Sequence, residues 1–204
     1  MTITNEDNIE LMSRYDDDDF ELAIVDPPYG INIQQSGGTP KHLGFKVYQK
    51  KFWDKQTPSK KYFDELFRVS KNQIIWGGNY MTQHLSPSMG WIFWDKGQNL
   101  TMSDGELAFS SFQKALRRII INRCEIKKDG AIHPTQKPVK LYEWLLMNYA
   151  NKGDKILDTH LGSGSIAIAC HNLGFDLTAC EIDKEYFEAA MKRINNHKAQ
   201  KRLF

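Results

Sequence analysis

The sequence predicts an α/β protein built on a mostly parallel sheet, and three observations carry that expectation. Short apolar runs at residues 22–25, 72–76, 155–158 and 177–180 alternate with segments whose apolar residues recur at helical spacing. The first run stops at Asp26-Pro27-Pro28-Tyr29, where two residues without an N–H cannot continue a strand ladder. The third leads into Gly162-Ser163-Gly164, a helix, and a further strand closed by Glu181, so a glycine turn and an acid bracket one β-α-β unit.

In chain order, residues 1–5 read as a very short strand and residues 8–15 as a small helix after Asp7. Residues 30–57 show no sustained periodicity and are punctuated by Gly37, Gly38, Pro40 and Gly44, which predicts a long mobile loop. Its lysines, interleaved with Phe45, Tyr48, Phe52 and Trp53, suit a lid over a nucleic acid. Residues 58–71 read as a helix with Tyr62, Phe63, Leu66, Phe67 and Val69 on its apolar stripe. The run at 72–76 ends in Gly77-Gly78-Asn79, and further strands are expected at 91–94, before Asp95-Lys96-Gly97, and at 106–109. Helices are expected at 139–150, 166–173 and 184–197, the last burying Phe187, Ala190, Met191 and Ile194. The expected sheet has seven strands.

A length of 204 residues suits one such domain with small additions. The amino terminus is polar and acidic, without a basic and then apolar leader, and the expected location is the cytoplasm. Cys124, Cys170 and Cys180 are odd in number and form no Cys-x-x-Cys pair, which predicts reduced thiols, and the six histidines show no metal-ligand spacing. Neither a membrane nor a metal is expected as a partner. Net charge is only +2, yet residues 1–30 are acidic while 41–61, 114–128 and 192–202 are basic. Any one run reads as a solvated face; three together suit an anionic polymer.

The chemistry follows from the two turns. A stiff loop at a strand's carboxyl end gathers the Asp26 carboxylate, the Pro27 carbonyl and the Tyr29 ring, a set suited to gripping a planar, amino-bearing ring; the bland alternative is a rigid turn. The glycine turn lacks the third glycine of a dinucleotide fingerprint, position 167 being Ala167. It also lacks the lysine of a P-loop, since Ser165 follows Gly164. A nucleoside ligand without pyrophosphate fits better, with Glu181 placed for ribose hydroxyls.

Taken together and in this order, the motifs resemble the β-class of S-adenosylmethionine-dependent DNA amino-methyltransferases, and within it small phage or prophage adenine-N6 enzymes. The resemblance rests on Asp26 to Tyr29, Ile74-Ile75-Trp76-Gly77-Gly78-Asn79, Trp91 to Lys96, His133-Pro134-Thr135-Gln136-Lys137-Pro138, Asp158 to Ser165, and Glu181. It implies a circularly permuted Rossmann-like methyltransferase fold with helices on both sheet faces. A single domain, 1–204, would comprise a catalytic half (1–109), a small target-recognition insert (110–132) and a cofactor half (133–204). Met1 to Thr4 would form the edge strand beside the one ending at Glu181. By the same resemblance, Asp26, Pro27, Pro28 and Tyr29 are catalytic. Asp7, His133, Thr135, Gln136, Lys137, Asp158, Thr159, Gly162, Ser163, Gly164, Glu181 and Ile182 would hold S-adenosylmethionine, with Thr135 and Lys137 at its methionine carboxylate or the nearby backbone, Asp158 at its amino group and Glu181 at its ribose. Double-stranded DNA is the implied partner, held by Lys46, Lys50, Lys51, Arg117 and Arg118. The insert is short enough that a homodimer could share sequence reading. One departure stands out: the family loop usually begins Asp-Pro-Phe, whereas this chain has Asp158-Thr159-His160, with His160 expected to pack in place of the aromatic ring. N4-cytosine methylation, methylation of an RNA or protein amide, and a non-catalytic DNA-binding subunit remain as alternatives. The aspartate before Pro-Pro-Tyr favours adenine by resemblance alone.

Overall fold

Strand ends, more than any other feature, arrange this protein, because seven of the eight strands among its described residues point the same way. The computed structural model describes residues 1–32, 54–97, 103–122, 124–125, 131–133 and 135–200. In chain order these form β1 (Thr2–Thr4), α1 (Asn8–Met12), β2 (Phe20–Val25), α2 (Lys60–Val69), β3 (Ser70–Trp76), β4 (Ile92–Asp95), β5 (Gly105–Ser110) and β6 (Arg117–Ile120). Then follow α3 (Val139–Tyr149), β7 (Lys155–Asp158), α4 (Ser165–Leu173), β8 (Asp176–Cys180) and α5 (Lys184–Ala199). The sheet order is β1-β8-β7-β2-β3-β5-β4-β6. Only β5 runs antiparallel to its neighbours, β3 and β4. The first residues of β5 therefore lie at the edge where the other strands end.

Alternation along β2 explains the two layers flanking the sheet. Leu22 and Ile24 face a core completed by Leu141, Leu145 and Tyr149 of α3, Ile166 to Cys170 of α4, and Ala190 and Ile194 of α5. Ala23 and Val25 face the opposite core, with Leu11 and Met12 of α1 and Tyr62, Phe63, Leu66 and Val69 of α2. Helix starts follow their side chains: Asp7 caps α1 by accepting from the N–H groups of Ile9 and Glu10, and Asp183 caps α5 in the same way. Thr2–Thr4 pairs in parallel with β8, Thr4 opposite Cys180.

The sheet has eight strands rather than seven. The addition is β6, which lies inside the stretch expected to be a recognition insert and pairs in parallel with β4, Arg117 opposite Ile92 and Ile120 opposite Asp95. Its sequence, Arg-Arg-Ile-Ile, lacks the alternation of a half-buried strand because it forms an open edge with Arg117, Arg118 and Ile120 exposed. The expected lid falls largely on residues 33–53, which lie outside the described residues, as do Lys46, Lys50 and Lys51. Among the described residues no helix is long and apolar enough to cross a membrane, and no group of three or more His, Cys, Asp or Glu side chains could hold a metal ion.

The turn between β7 and α4 depends on Gly164. Its φ of +73° is in the left-handed region, and a Cβ there would lie 2.9 Å from Ile194 Cδ1 of α5. Gly164→Ala is expected to destabilise the protein by roughly 1–3 kcal/mol, as read by urea unfolding.

Candidate active site

The carboxyl edge of the sheet brings the two sequence clusters together. Asp26 follows β2, Asp158 closes β7, and β2 and β7 are neighbours paired in parallel, Leu22 opposite Ile156 and Ala23 opposite Leu157. A single pocket is lined by Asp26, Pro27, Tyr29, Asp54, Glu106, Thr135 and Lys137. Five of these residues belong to the predicted catalytic turn or the segment before α3. Asp54 and Glu106 do not.

Each oxygen of Asp26 has a donor. Tyr29 Oη donates to its Oδ1 at 2.8 Å, and Lys137 Nζ donates to its Oδ2 at 2.5 Å. Lys137 places its ammonium between Asp26 and Glu106, 3.1 Å from Glu106 Oε2, with its side chain 2% exposed. The faces of Tyr29 and Trp76 lie 5.7 and 5.1 Å from the same ammonium. Lys96 Nζ holds the other oxygen of Glu106 at 2.9 Å. Burial alone would lift the Glu106 carboxyl, but Lys137 and Lys96 outweigh it and hold it at about 2. At Asp26 burial dominates and raises the carboxyl, with Lys137 opposing. Burial works against the Lys137 ammonium, yet the two carboxylates keep its pKa above the ordinary lysine value.

Tyr29 is seated with little freedom. Its ring stacks on Tyr80 at 5.2 Å, and a Cβ on Gly77 would lie 2.2 Å from it, so only glycine fits there, at φ +66°. Asp54 accepts from the backbone N–H groups of Tyr29 and Gly30 at 2.7 and 2.9 Å, and its carbonyl accepts from Asn32 N–H at 2.9 Å. It thereby ties the catalytic turn to the point where the chain returns. Neither Asp54 nor Glu106 sits in a local motif. Glu106 was legible only as the first residue of a strand, which in an all-parallel sheet would lie at the far edge.

On the glycine-turn side, the buried Asp158 carboxylate receives one hydrogen bond, from His160 N–H at 3.0 Å. Burial pushes its pKa up to about 8, with that N–H opposing. Gly162 N–H donates to Glu181 Oε2 at 2.8 Å, and Asp183 N–H to Oε1 at 2.9 Å, which fixes the acid beside the turn. Ile182 follows with its side chain 69% exposed. A Cβ on Gly162 would find nothing nearer than His160 O at 3.8 Å, so the turn is open to a ligand. Ser163 is buried, its hydroxyl 3.1 Å from Ser165 Oγ and its carbonyl accepting from Arg193. Ser165 Oγ in turn donates to Lys137 O at 2.8 Å. His133 Nδ1 accepts from Thr135 N–H at 3.3 Å, and Gln136 Oε1 accepts from Ile132 N–H, so these two residues shape the segment leading to Lys137. Asp7 caps α1, and its neighbour Asn8 reaches His160.

The departure at Thr159-His160 has a clear arrangement. Asn8 Nδ2 can only donate, so His160 Nε2 accepts at 3.2 Å, and the ring proton on Nδ1 is shared with Thr159 Oγ1 at 2.9 Å. Tyr62 Oη closes the chain on Thr159 Oγ1 at 2.7 Å, and its ring packs edge-on against His160. Burial pushes the His160 pKa down to about 4, so the ring is a neutral, hydrogen-bonded packing residue. Arg117 and Arg118, adjacent on β6, project to opposite faces, and Arg118 pairs with Asp95 at 2.5 Å.

A profile of DNA methylases covering N6 and N4 amine methylation matches residues 75–192. The chain belongs to the N6/N4 DNA methylase family. Among its relatives, the type II methyltransferase M.HpaI of Haemophilus parainfluenzae is 25% identical over 92% of this chain and 72% of its own length. The type II methyltransferase M2.DpnII of Streptococcus pneumoniae is 26% identical over 80% of this chain, which spans 56% of that relative. The fold matches that of the M1.HpyAVI–SAM complex, with a TM-score of 0.64, 20% identity, and coverage of 94% of this chain and 98% of that one. This DNA methylase thus shares a mixed, mostly parallel sheet with solved relatives.

The raised pKa of Asp158 has a consequence for stability. A carboxyl whose folded pKa lies above its unfolded value contributes stability that is complete below the unfolded value and is lost as pH rises through about 8. Without ligand, Asp158→Asn is expected to match the wild type near pH 4 and to exceed it at pH 8 by on the order of 1–3 kcal/mol, as measured by denaturant unfolding at both pH values.

Proposed function

We propose that this DNA methylase transfers a methyl group from S-adenosylmethionine to the N6 amine of an adenine flipped out of double-stranded DNA. The observation that carries the reading is the adjacency of β2 and β7, which sets the Asp26 turn and the Asp158 turn side by side at one sheet edge. The donor set suits the cofactor. Asp158 is a buried carboxylate with a single neutral hydrogen-bond donor, a site that would be completed by an ammonium group. Glu181 stands beside an open glycine turn, as a ribose partner would, and the exposed Ile182 offers an apolar face to an adenine ring. When bound, S-adenosylmethionine supplies a methyl group on a sulfonium centre.

The work left to the protein follows from the amine. Its lone pair is delocalised into the purine ring and is a poor nucleophile. Acceptance of its hydrogens by Asp26 and the Pro27 carbonyl draws the nitrogen toward tetrahedral geometry and exposes that pair, and both acceptors stabilise the positive charge that develops on nitrogen. Pro28 contributes no N–H that would compete, and the Tyr29 ring forms a wall of the same pocket. Unstacking the base costs roughly a few kcal/mol, to be offset by contacts within the pocket and by salt-sensitive phosphate contacts from the basic segments. Arg117 is exposed for such contacts, whereas Arg118 would exchange Asp95 for a phosphate.

Incubation with tritiated S-adenosylmethionine and unmethylated DNA, followed by digestion to nucleosides, tests the reading. Label is expected in N6-methyldeoxyadenosine, with a loss of roughly a hundredfold or more in Asp26→Ala. Label in N4-methyldeoxycytidine would move the assignment to the other amine of the family, and cofactor binding without DNA labelling would exclude DNA as the acceptor.

A further inference from the structure

The residues that occupy Asp26 raise a chemical difficulty. A carboxylate already holding a tyrosine hydroxyl on one oxygen and an ammonium on the other keeps open lone-pair sites but is a weaker acceptor for a further donor than a free one, and Asp26 is held in this way at 2.8 and 2.5 Å. Glu106 resolves it. Its Oε2 lies 3.2 Å from Tyr29 Oη and 3.1 Å from Lys137 Nζ, within reach of the same two donors that engage Asp26. Its Oε1 is anchored by Lys96 at 2.9 Å, so the carboxylate is fixed in place.

We propose that Glu106 is a positioning residue for methyl transfer: as the substrate amine docks on Asp26, Tyr29 Oη and the Lys137 ammonium pass from Asp26 to Glu106. The exchange rests on the methyltransferase reading above. Each donor moves between two carboxylates on either side of it, so no buried donor is left unpaired and no charge leaves the cleft. The low pKa of Glu106 keeps it ionised as the receiver throughout the neutral range. Asp26 then faces the amine as a free anion, while Lys137 remains neutralised. Glu106 Oε2 already lies within 3.2 Å of both donors, so the step needs only small side-chain shifts.

The test compares single-turnover methylation of DNA by the wild type, Glu106→Gln, Lys137→Met and the double variant, alongside S-adenosylmethionine dissociation constants from calorimetry. Glu106→Gln keeps the shape but weakens the receiver. Its transfer rate is expected to fall roughly tenfold or more, with cofactor affinity within about twofold of wild type. In the Lys137→Met background the same substitution is expected to cost less than about threefold, because the grip it relieves is gone. The Glu106→Gln rate should also climb with pH as the Lys137 ammonium titrates, an alkaline limb absent from the wild type. A merely structural role would move cofactor affinity and rate together and would produce neither the coupling nor the limb. If Glu106→Gln fails to fold, Glu106→Asp, which keeps the charge but withdraws it from both donors, is held to the same coupling with Lys137→Met. Full activity in Glu106→Gln, or losses that simply multiply, would overturn the exchange while leaving the methyltransferase reading intact. A wild type that labels no DNA would overturn that reading, and the exchange with it.

Discussion

The Lys137 ammonium is buried between two carboxylates, and removing either partner would leave an uncompensated charge in the cleft. Much of the surrounding architecture serves this arrangement. β2 delivers Asp26 at its end, the antiparallel β5 delivers Glu106 at its start, β4 delivers Lys96 just past its end, and the segment before α3 delivers Lys137. Four separate parts of the chain therefore meet at one sheet edge. The rings of Trp76 and Tyr29 line the same space, so the Lys137 ammonium is enclosed by aromatic surface, while Asp26 and Glu106 stay partly open to the pocket. Low local dielectric strengthens every interaction there and equally penalises any that is left unmade.

The same enclosure sets what could be read from residues alone. The Asp26 turn, the glycine turn and Glu181 were legible because each is a local signal: prolines that halt a strand, glycines that permit a left-handed turn, an acid at a strand end. Glu106 was hidden because its importance depends on strand direction, and no feature of Glu106 to Phe109 distinguishes a parallel neighbour from an antiparallel one. Strand β6 was hidden for a related reason. An open edge strand need not alternate, and two consecutive arginines read as a solvated or nucleic-acid-facing run. Lys137 was legible as part of a motif, but its ion-pair partners Asp26 and Glu106 were not, because they lie about a hundred and some thirty residues away in sequence.

Thr159 and His160 show how a departure from a family pattern can be absorbed. Where the usual loop has Pro-Phe, this chain substitutes two residues that can hydrogen-bond, and the surroundings supply partners for both: Asn8 from the start of α1 and Tyr62 from α2. The ring still fills an aromatic position, packed edge-on to Tyr62. Packing is thus retained while the β7 turn gains hydrogen-bonded links to the helical layer that carries α1 and α2.

Asp54 has a consequence of another kind. By binding the N–H groups of Tyr29 and Gly30 and receiving Asn32 through its carbonyl, it fastens the two ends of the intervening stretch at a single neck. Asp54 and Tyr29 both line the pocket, so this neck is part of the pocket wall itself. The seat of Tyr29 is therefore closed from two directions along the chain, by the turn that carries it and by the segment that begins at Asp54.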